Sequence, residues 1–199
     1  MRRNFMCVAM LAILAAAAIG PALVPAGGEK EKKFNPLYVP TDEKVIEKMF
    51  EMAKVTKDDV VFDLGCGDGR ICAMAVKKFG CRAVGIDLNP ERIKECMDTI
   101  KKYKVEDAVE NGKLEFRLGD ALNVPDFSKA TVVTLYMLPE FMNHLKPIAQ
   151  KTLKPGARIV SHDFRWAEKS DWEPDYAPIS FEGPSRTHTL YLWTLKGNR

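Results

Sequence analysis

Three aspartates and three glycines are spaced so that they can meet at one polar ligand. Asp63-Leu64-Gly65-Cys66-Gly67-Asp68-Gly69 ends the apolar run Val60-Val61-Phe62 and places a glycine at every second position. A strand that turns through glycines into a helix brings backbone close to a ligand and aims unpaired N–H groups at it. Asp87 ends Val84-Gly85-Ile86-Asp87, 22 residues after Gly65, and Asp120 stands in Leu118-Gly119-Asp120-Ala121. An ionised carboxylate only accepts hydrogen bonds, so these positions suit hydroxyls and amino groups. Any one of the three acids could simply cap a turn or helix. Together, after three successive strands, they define one crevice. Tyr136 and His162 are the candidates for acting on a reacting group. A tyrosine hydroxyl can orient an amine while its ring lines a channel, and a histidine can take a proton near neutral pH. Their plainer roles are a packed strand-end aromatic and a hydrogen-bonded structural histidine. Glu140 and Asn143, one turn into the next helix, are weaker candidates, and His144 and His188 read as incidental.

Two ligands compete for the glycine turn. The dinucleotide fingerprint G-x-G-x-x-G/A needs a small residue at position 70, where this chain has Arg70. A bulky side chain there obstructs a diphosphate against the helix end, so an oxidoreductase is disfavoured. Asp-x-Gly-x-Gly-x-Gly is instead the form used for S-adenosylmethionine, which has no phosphate. Asp87 would accept both ribose hydroxyls and Asp120 the adenine amino group. Asp87 fits NAD equally well, so Asp120 and Arg70 discriminate between the two.

The elements that must position these residues follow from periodicity. A helix is expected over 42–53, with Thr41 as its cap and Val45, Ile46, Met49, Phe50 and Met52 on its apolar face. Strands are expected at 59–64, 83–87, 114–118, 131–136 and 158–163, and helices at 70–79, from Asn89-Pro90, and at 139–153 with a kink near Pro147. Strand–helix alternation means an α/β, doubly wound, mostly parallel sheet. Residues 165–178 read as a loop, with Trp166 and Trp172 either rimming a substrate or packing on the core. Residues 179–181 and 187–195 then form an antiparallel pair, making seven strands.

On these motifs the chain resembles class I S-adenosylmethionine-dependent methyltransferases over about residues 38–195. Val39-Pro40-Thr41, residues 63–70 (DLGCGDGR), 84–90 (VGIDLNP), 134–140 (TLYMLPE) and 153–164 (LKPGARIVSHDF) narrow the likeness. They are similar to a small family of bacterial and mitochondrial-type protein-lysine methyltransferases whose members modify ATP-synthase c subunits. The resemblance implies S-adenosyl-L-methionine as cofactor, a protein lysine as acceptor, and cofactor contacts from Thr41, Asp63, Gly65, Cys66, Gly67, Asp87, Leu88, Asp120, Ala121 and Tyr136. Tyr136 and His162 remain the catalytic candidates. A small-molecule acceptor and a non-catalytic cofactor-binding role stay open as alternatives. Cys66 departs from the serine common at that place in the family, although it keeps the turn small. No Asn/Asp-Pro-Pro-Tyr follows the fourth strand, which argues against adenine or glutamine as acceptor.

The first 26 residues are not part of this fold. Arg2-Arg3 precede an Ala/Leu-rich stretch that ends in Val24-Pro25-Ala26, the pattern of a secretory signal peptide. A retained membrane anchor through residues 4–24 is the rival reading. Either implies an exported, periplasmic or membrane-anchored protein, and an exported form must still meet a cofactor made in the cytosol. Residues 27–37 form a polar linker, and 38–199 the methyltransferase domain. Without Arg2 and Arg3, 28 basic residues face 27 acidic ones. So balanced a body lacks the basic footprint of a general nucleic-acid binder. Cys66, Cys72, Cys81 and Cys96 show no C-x-x-C, and no histidine stands at zinc spacing. No metal is expected, and the four read as buried free thiols rather than two disulfides.

Overall fold

The computed structural model describes residues 38–166, 172–183 and 186–196. All of them belong to one compact unit, Phe34–Arg199. The expected signal or anchor at 1–26 and the linker at 27–37 lie outside the described residues. No helix among the described residues is long and apolar enough to cross a membrane.

The chain runs α1 (Glu43–Ala53), β1 (Val60–Leu64), α2 (Arg70–Phe79), β2 (Arg82–Asp87), α3 (Pro90–Tyr103), α4 (Glu106–Glu110), β3 (Leu114–Leu118), β4 (Val132–Leu135), α5 (Pro139–Thr152), β5 (Arg158–His162), β6 (Ile179–Glu182) and β7 (Thr187–Thr194). The seven strands form one sheet in the order β3-β2-β1-β4-β5-β7-β6. Pairings among β1 to β5 are parallel, and β7 joins β5 and β6 antiparallel. The expected sheet and its closing pair are therefore present. The order reverses between β1 and β4, which is where an open α/β sheet splits to form a ligand crevice.

Strand periodicity sorts the core into two layers. Val61, Ala83, Val132, Val160, Leu190 and Leu192 face α1 and α2. Phe62, Leu64, Val84, Val133, Leu135, Ile159 and Trp193 face α5. The α1–α2 face also takes polar residues at matching register. Asp63 pairs Thr134 directly across β1 and β4, and both are buried. Trp166 is buried, stacked on Trp172 at 5.3 Å and packed on Trp193, so it belongs to the core and not to a substrate rim.

Four local expectations change. Asp42, not Thr41, caps α1: its extended backbone lets the carboxylate accept from Lys44 N at 2.9 Å. Thr41 is buried instead, and its carbonyl accepts from Arg70. α4 is too short to show a period in sequence. β4 and β5 end before Tyr136 and Asp163, which leave the sheet at its C-terminal edge. Asp163 has φ +60°, which no β-strand continues through.

Candidate active site

The glycine turn is built by φ and by packing together. Gly65, Gly67 and Gly69 have φ of +83°, +54° and +79°. A Cβ on Gly65 would lie 2.6 Å from Met137 Sδ, one on Gly67 2.3 Å from the Tyr38 ring, and one on Gly69 2.5 Å from Phe116. Gly65 N and Cys66 N both donate to Ile86 O, which fastens the turn to β2.

Asp87 braces the same turn. Its Oδ2 accepts from Gly67 N and its Oδ1 from Asn89 N, each at 2.8 Å. Gly119 N donates to Asp87 O, so the β3 end is tied in as well. Asp120 is exposed two residues after β3, and its Oδ1 accepts from Leu122 N at 2.9 Å. Leu88 and Leu118 expose apolar surface beside these acids.

Asp63 is the electrostatic centre of this half. Thr134 Oγ1 donates to its Oδ1 at 2.7 Å, while Oδ2 is buried without a partner among the described residues. Burial pushes its carboxyl up to about 7. The Thr134 hydrogen bond opposes that shift, and the charges of Asp87 and Asp68 add to it.

Arg70, the residue that disfavoured a dinucleotide, has a structural task. Its guanidinium holds Asp68 at 2.6 Å and donates to Thr41 O at 3.2 Å, tying the segment before α1 to the turn. Tyr38 lies on Gly67 in that segment, and Arg92 covers its ring at 4.3 Å.

A second cluster sits one strand over. Tyr136 follows β4, and its ring lies 4.0 Å from that of His162. His162 Nε2 is 2.9 Å from His188 Nδ1 and 3.2 Å from Asp163 Oδ2. Arg186 donates to both Asp163 Oδ2 and the Tyr136 hydroxyl. His162 and His188 are buried on the same sheet face. Burial pulls His162 down to about 4; His188 and Arg186 deepen the shift, and Asp163 opposes it. His162 is therefore neutral at pH 7.

The structure ties Gly65 and Cys66 to Ile86 O and Gly67 to Asp87, sets Asp63 in β1 at the start of the turn, and places Leu88, Asp120 and Ala121 along the same edge. Thr41 joins through Arg70. Tyr136 and His162 form a separate neighbouring group. His188, expected to be incidental, is the ring partner of His162. Sequence reasoning also missed Tyr38, Met137 and Arg186, whose contacts with the site are long-range. Glu140 and Asn143 are exposed on α5. Cys66, Cys72, Cys81 and Cys96 are free and buried. Burial, helped by the charge of Asp59, takes Cys81 up to about 11, and the Cys66 and Cys72 thiols are raised well above the ordinary range. Weakly acidic, enclosed thiols are poor nucleophiles. A surface groove of about 980 Å³, lined by Lys44, Phe50, Lys78 and Phe181 among others, contains none of these site residues.

A doubly wound sheet, a three-glycine turn at its switch point and an acid at or just beyond the C-terminal end of each of the first three strands define an S-adenosylmethionine-dependent methyltransferase. Residues 63–176 match the ANTKMT methyltransferase domain, and the chain belongs to that family. It is 45% identical over 159 residues to a protein-lysine N-methyltransferase of Saccharolobus islandicus (strain REY15A), spanning 79% of this chain and 92% of that protein. It is 30% identical over 160 residues to a Homo sapiens lysine N-methyltransferase of the ATP-synthase c subunit, spanning 80% of this chain but only 63% of that one. A solved structure of an RNA methyltransferase from Salinibacter ruber in complex with S-adenosyl-L-homocysteine superposes with a TM-score of 0.69 at 38% identity. It covers 81% of this chain and 96% of its own.

The residues present fit the cofactor. A buried carboxylate oxygen on Asp63 lacks a partner among the described residues, and exposed leucines flank the acids.

Proposed function

We propose that the chain transfers a methyl group from S-adenosylmethionine to the side-chain amine of a protein lysine. When bound, the cofactor supplies a methyl group already activated on a sulfonium sulfur. The chain's task is to hold, orient and desolvate. Asp63 would meet the cofactor's α-ammonium through Oδ2, directly or across one water. Asp87 keeps accepting capacity beyond its two backbone donors and would take the ribose hydroxyls. Asp120 would accept the adenine amine, with Leu88 and Leu118 against the base.

At the acceptor side, the lysine Nζ must arrive with its lone pair free, so its extra proton leaves before transfer. Neutral His162 and the half-buried Tyr136 hydroxyl are the groups at hand. In this reading Tyr136 orients the amine and His162 stiffens the Tyr136 ring.

The observation that carries the acceptor class is the 45% identity to a protein-lysine N-methyltransferase across 92% of its length. A second reading, an RNA acceptor, is favoured by the Salinibacter ruber likeness. The near balance of 28 basic and 27 acidic residues beyond Arg3 speaks against it, because RNA binding draws on phosphate neutralisation. The export-like N-terminus supports attachment to, or passage across, a membrane; fractionation of expressing cells tests that point.

Tyr136→Phe tests the acceptor half. With a lysine-bearing acceptor, kcat should fall while S-adenosylhomocysteine affinity is unchanged. Equal loss of both would make Tyr136 a packing residue.

A further inference from the structure

We infer that Asp163 and the Tyr136 hydroxyl form a subsite for the primary ammonium of the acceptor, and that Arg186 occupies this subsite until the acceptor displaces it. The inference rests on the lysine reading above.

The first support is backbone geometry. Asp163 has φ +60°, and Phe164 N donates to His162 O across it at 2.8 Å. That is a three-residue turn with a positive-φ centre, a rare and strained form. Strain of this kind persists where the surroundings over-determine it, and it clusters at functional sites. Here it lifts the carboxylate out of the β5 line and toward Tyr136.

The second support is the chemistry of the two acceptors. Thr189 N donates to Asp163 Oδ1 at 3.0 Å, which fixes the carboxylate from behind. Burial alone would raise the Asp163 carboxyl, but the Arg186 and Thr189 hydrogen bonds keep it below its ordinary value, hence ionised. Oδ2 and the Tyr136 oxygen both accept from one nitrogen, Arg186 Nη2. One cationic nitrogen between a carboxylate and a phenol oxygen is the arrangement a lysine ammonium, with three donors, would take up.

The third support is the state of the present occupant. The Arg186 side chain is 43% exposed and its remaining described contact is to Thr187 O at 3.0 Å. An exposed guanidinium held by so few contacts is replaceable at small loss.

His162, Asp163 and His188 also bring ligating atoms within 4.8 Å of one another, as a metal site would. The facing atoms already satisfy each other, however, and Arg186 already supplies positive charge to the carboxylate.

The test titrates the full chain, loaded with S-adenosylhomocysteine, with n-butylammonium chloride while following the imidazole ¹⁵N signals of His162 and His188. Sodium chloride at equal ionic strength is the control. The expected result is a saturable shift with butylammonium alone. Arg186→Ala should tighten it about two- to fivefold, the range of one exposed ion pair. Asp163→Asn should weaken it about tenfold or more. Unchanged S-adenosylhomocysteine affinity shows that each variant is folded. Saturation that ignores both substitutions, or weakens in Arg186→Ala, overturns the subsite. Because butylammonium binding needs no turnover, this result is separate from the lysine reading, which stands or falls on where the methyl group is found.

Discussion

In the proposed site, Asp63 would couple cofactor binding to protons. Its folded pKa, about 7, lies above the ordinary 3.8. The stability it contributes is complete below the ordinary value and is lost as pH rises through about 7. A cation beside Oδ2 reverses this, because it favours the ionised form. Cofactor binding should therefore release a proton below pH 7, and affinity should fall up to about tenfold per pH unit on acidification. Calorimetric titration between pH 5.5 and 8 reads the slope, which Asp63→Asn should flatten; an unchanged slope would place the ammonium elsewhere. His162 has the opposite sign. Its pKa, about 4 against 6.5, means stability present above 6.5 and lost as pH falls toward 4. The loss amounts to at most about 3 kcal/mol. Urea midpoints at pH 7.5 and 4.5 should differ less in His162→Gln than in the wild type. These environments were only half legible in sequence. The acids could be placed at strand ends, but the Thr134 partner of Asp63 comes from strand register, and the Arg186 partner of Asp163 from the antiparallel return of β7.

At the level of elements, the turn between β1 and α2 is specified twice, by φ and by what packs on it. Gly67→Ala should lose about 1–2 kcal/mol for the left-handed conformation alone. It adds a clash with Tyr38, whose ring lies 2.3 Å from the new Cβ. Tyr38→Ala in the Gly67→Ala background should recover the clash but not the φ term. Full additivity of the two substitutions in denaturation measurements would show that Tyr38 does not cover the turn. The turn was readable because glycine spacing is a local signal. Tyr38 was not, because nothing near residue 38 reveals that Arg70 will anchor Thr41 and so lay this segment on the turn. The α1 cap failed for a related reason: Thr41 and Asp42 are both competent, and the Arg70 contact draws Thr41 inward.

For the whole molecule, the sheet order explains why two functional halves lie side by side. β1 ends in the glycine turn, its neighbour β4 leads into Tyr136, and β5 beyond it ends in His162 with Asp163 next. Strand alternation made the parallel sheet and its closing antiparallel pair readable, whereas the order of the strands is seen only in the structure. The acceptor class decides what this protein does. The most direct measurement incubates the full chain and a cell extract with S-adenosylmethionine labelled in its methyl group, then separates protein from RNA and hydrolyses the protein. Label recovered as N-methyl-lysine, and reduced in Tyr136→Phe, is the predicted result. Label confined to RNA would contradict the lysine assignment and shift the acceptor to the chemistry of the Salinibacter ruber relative.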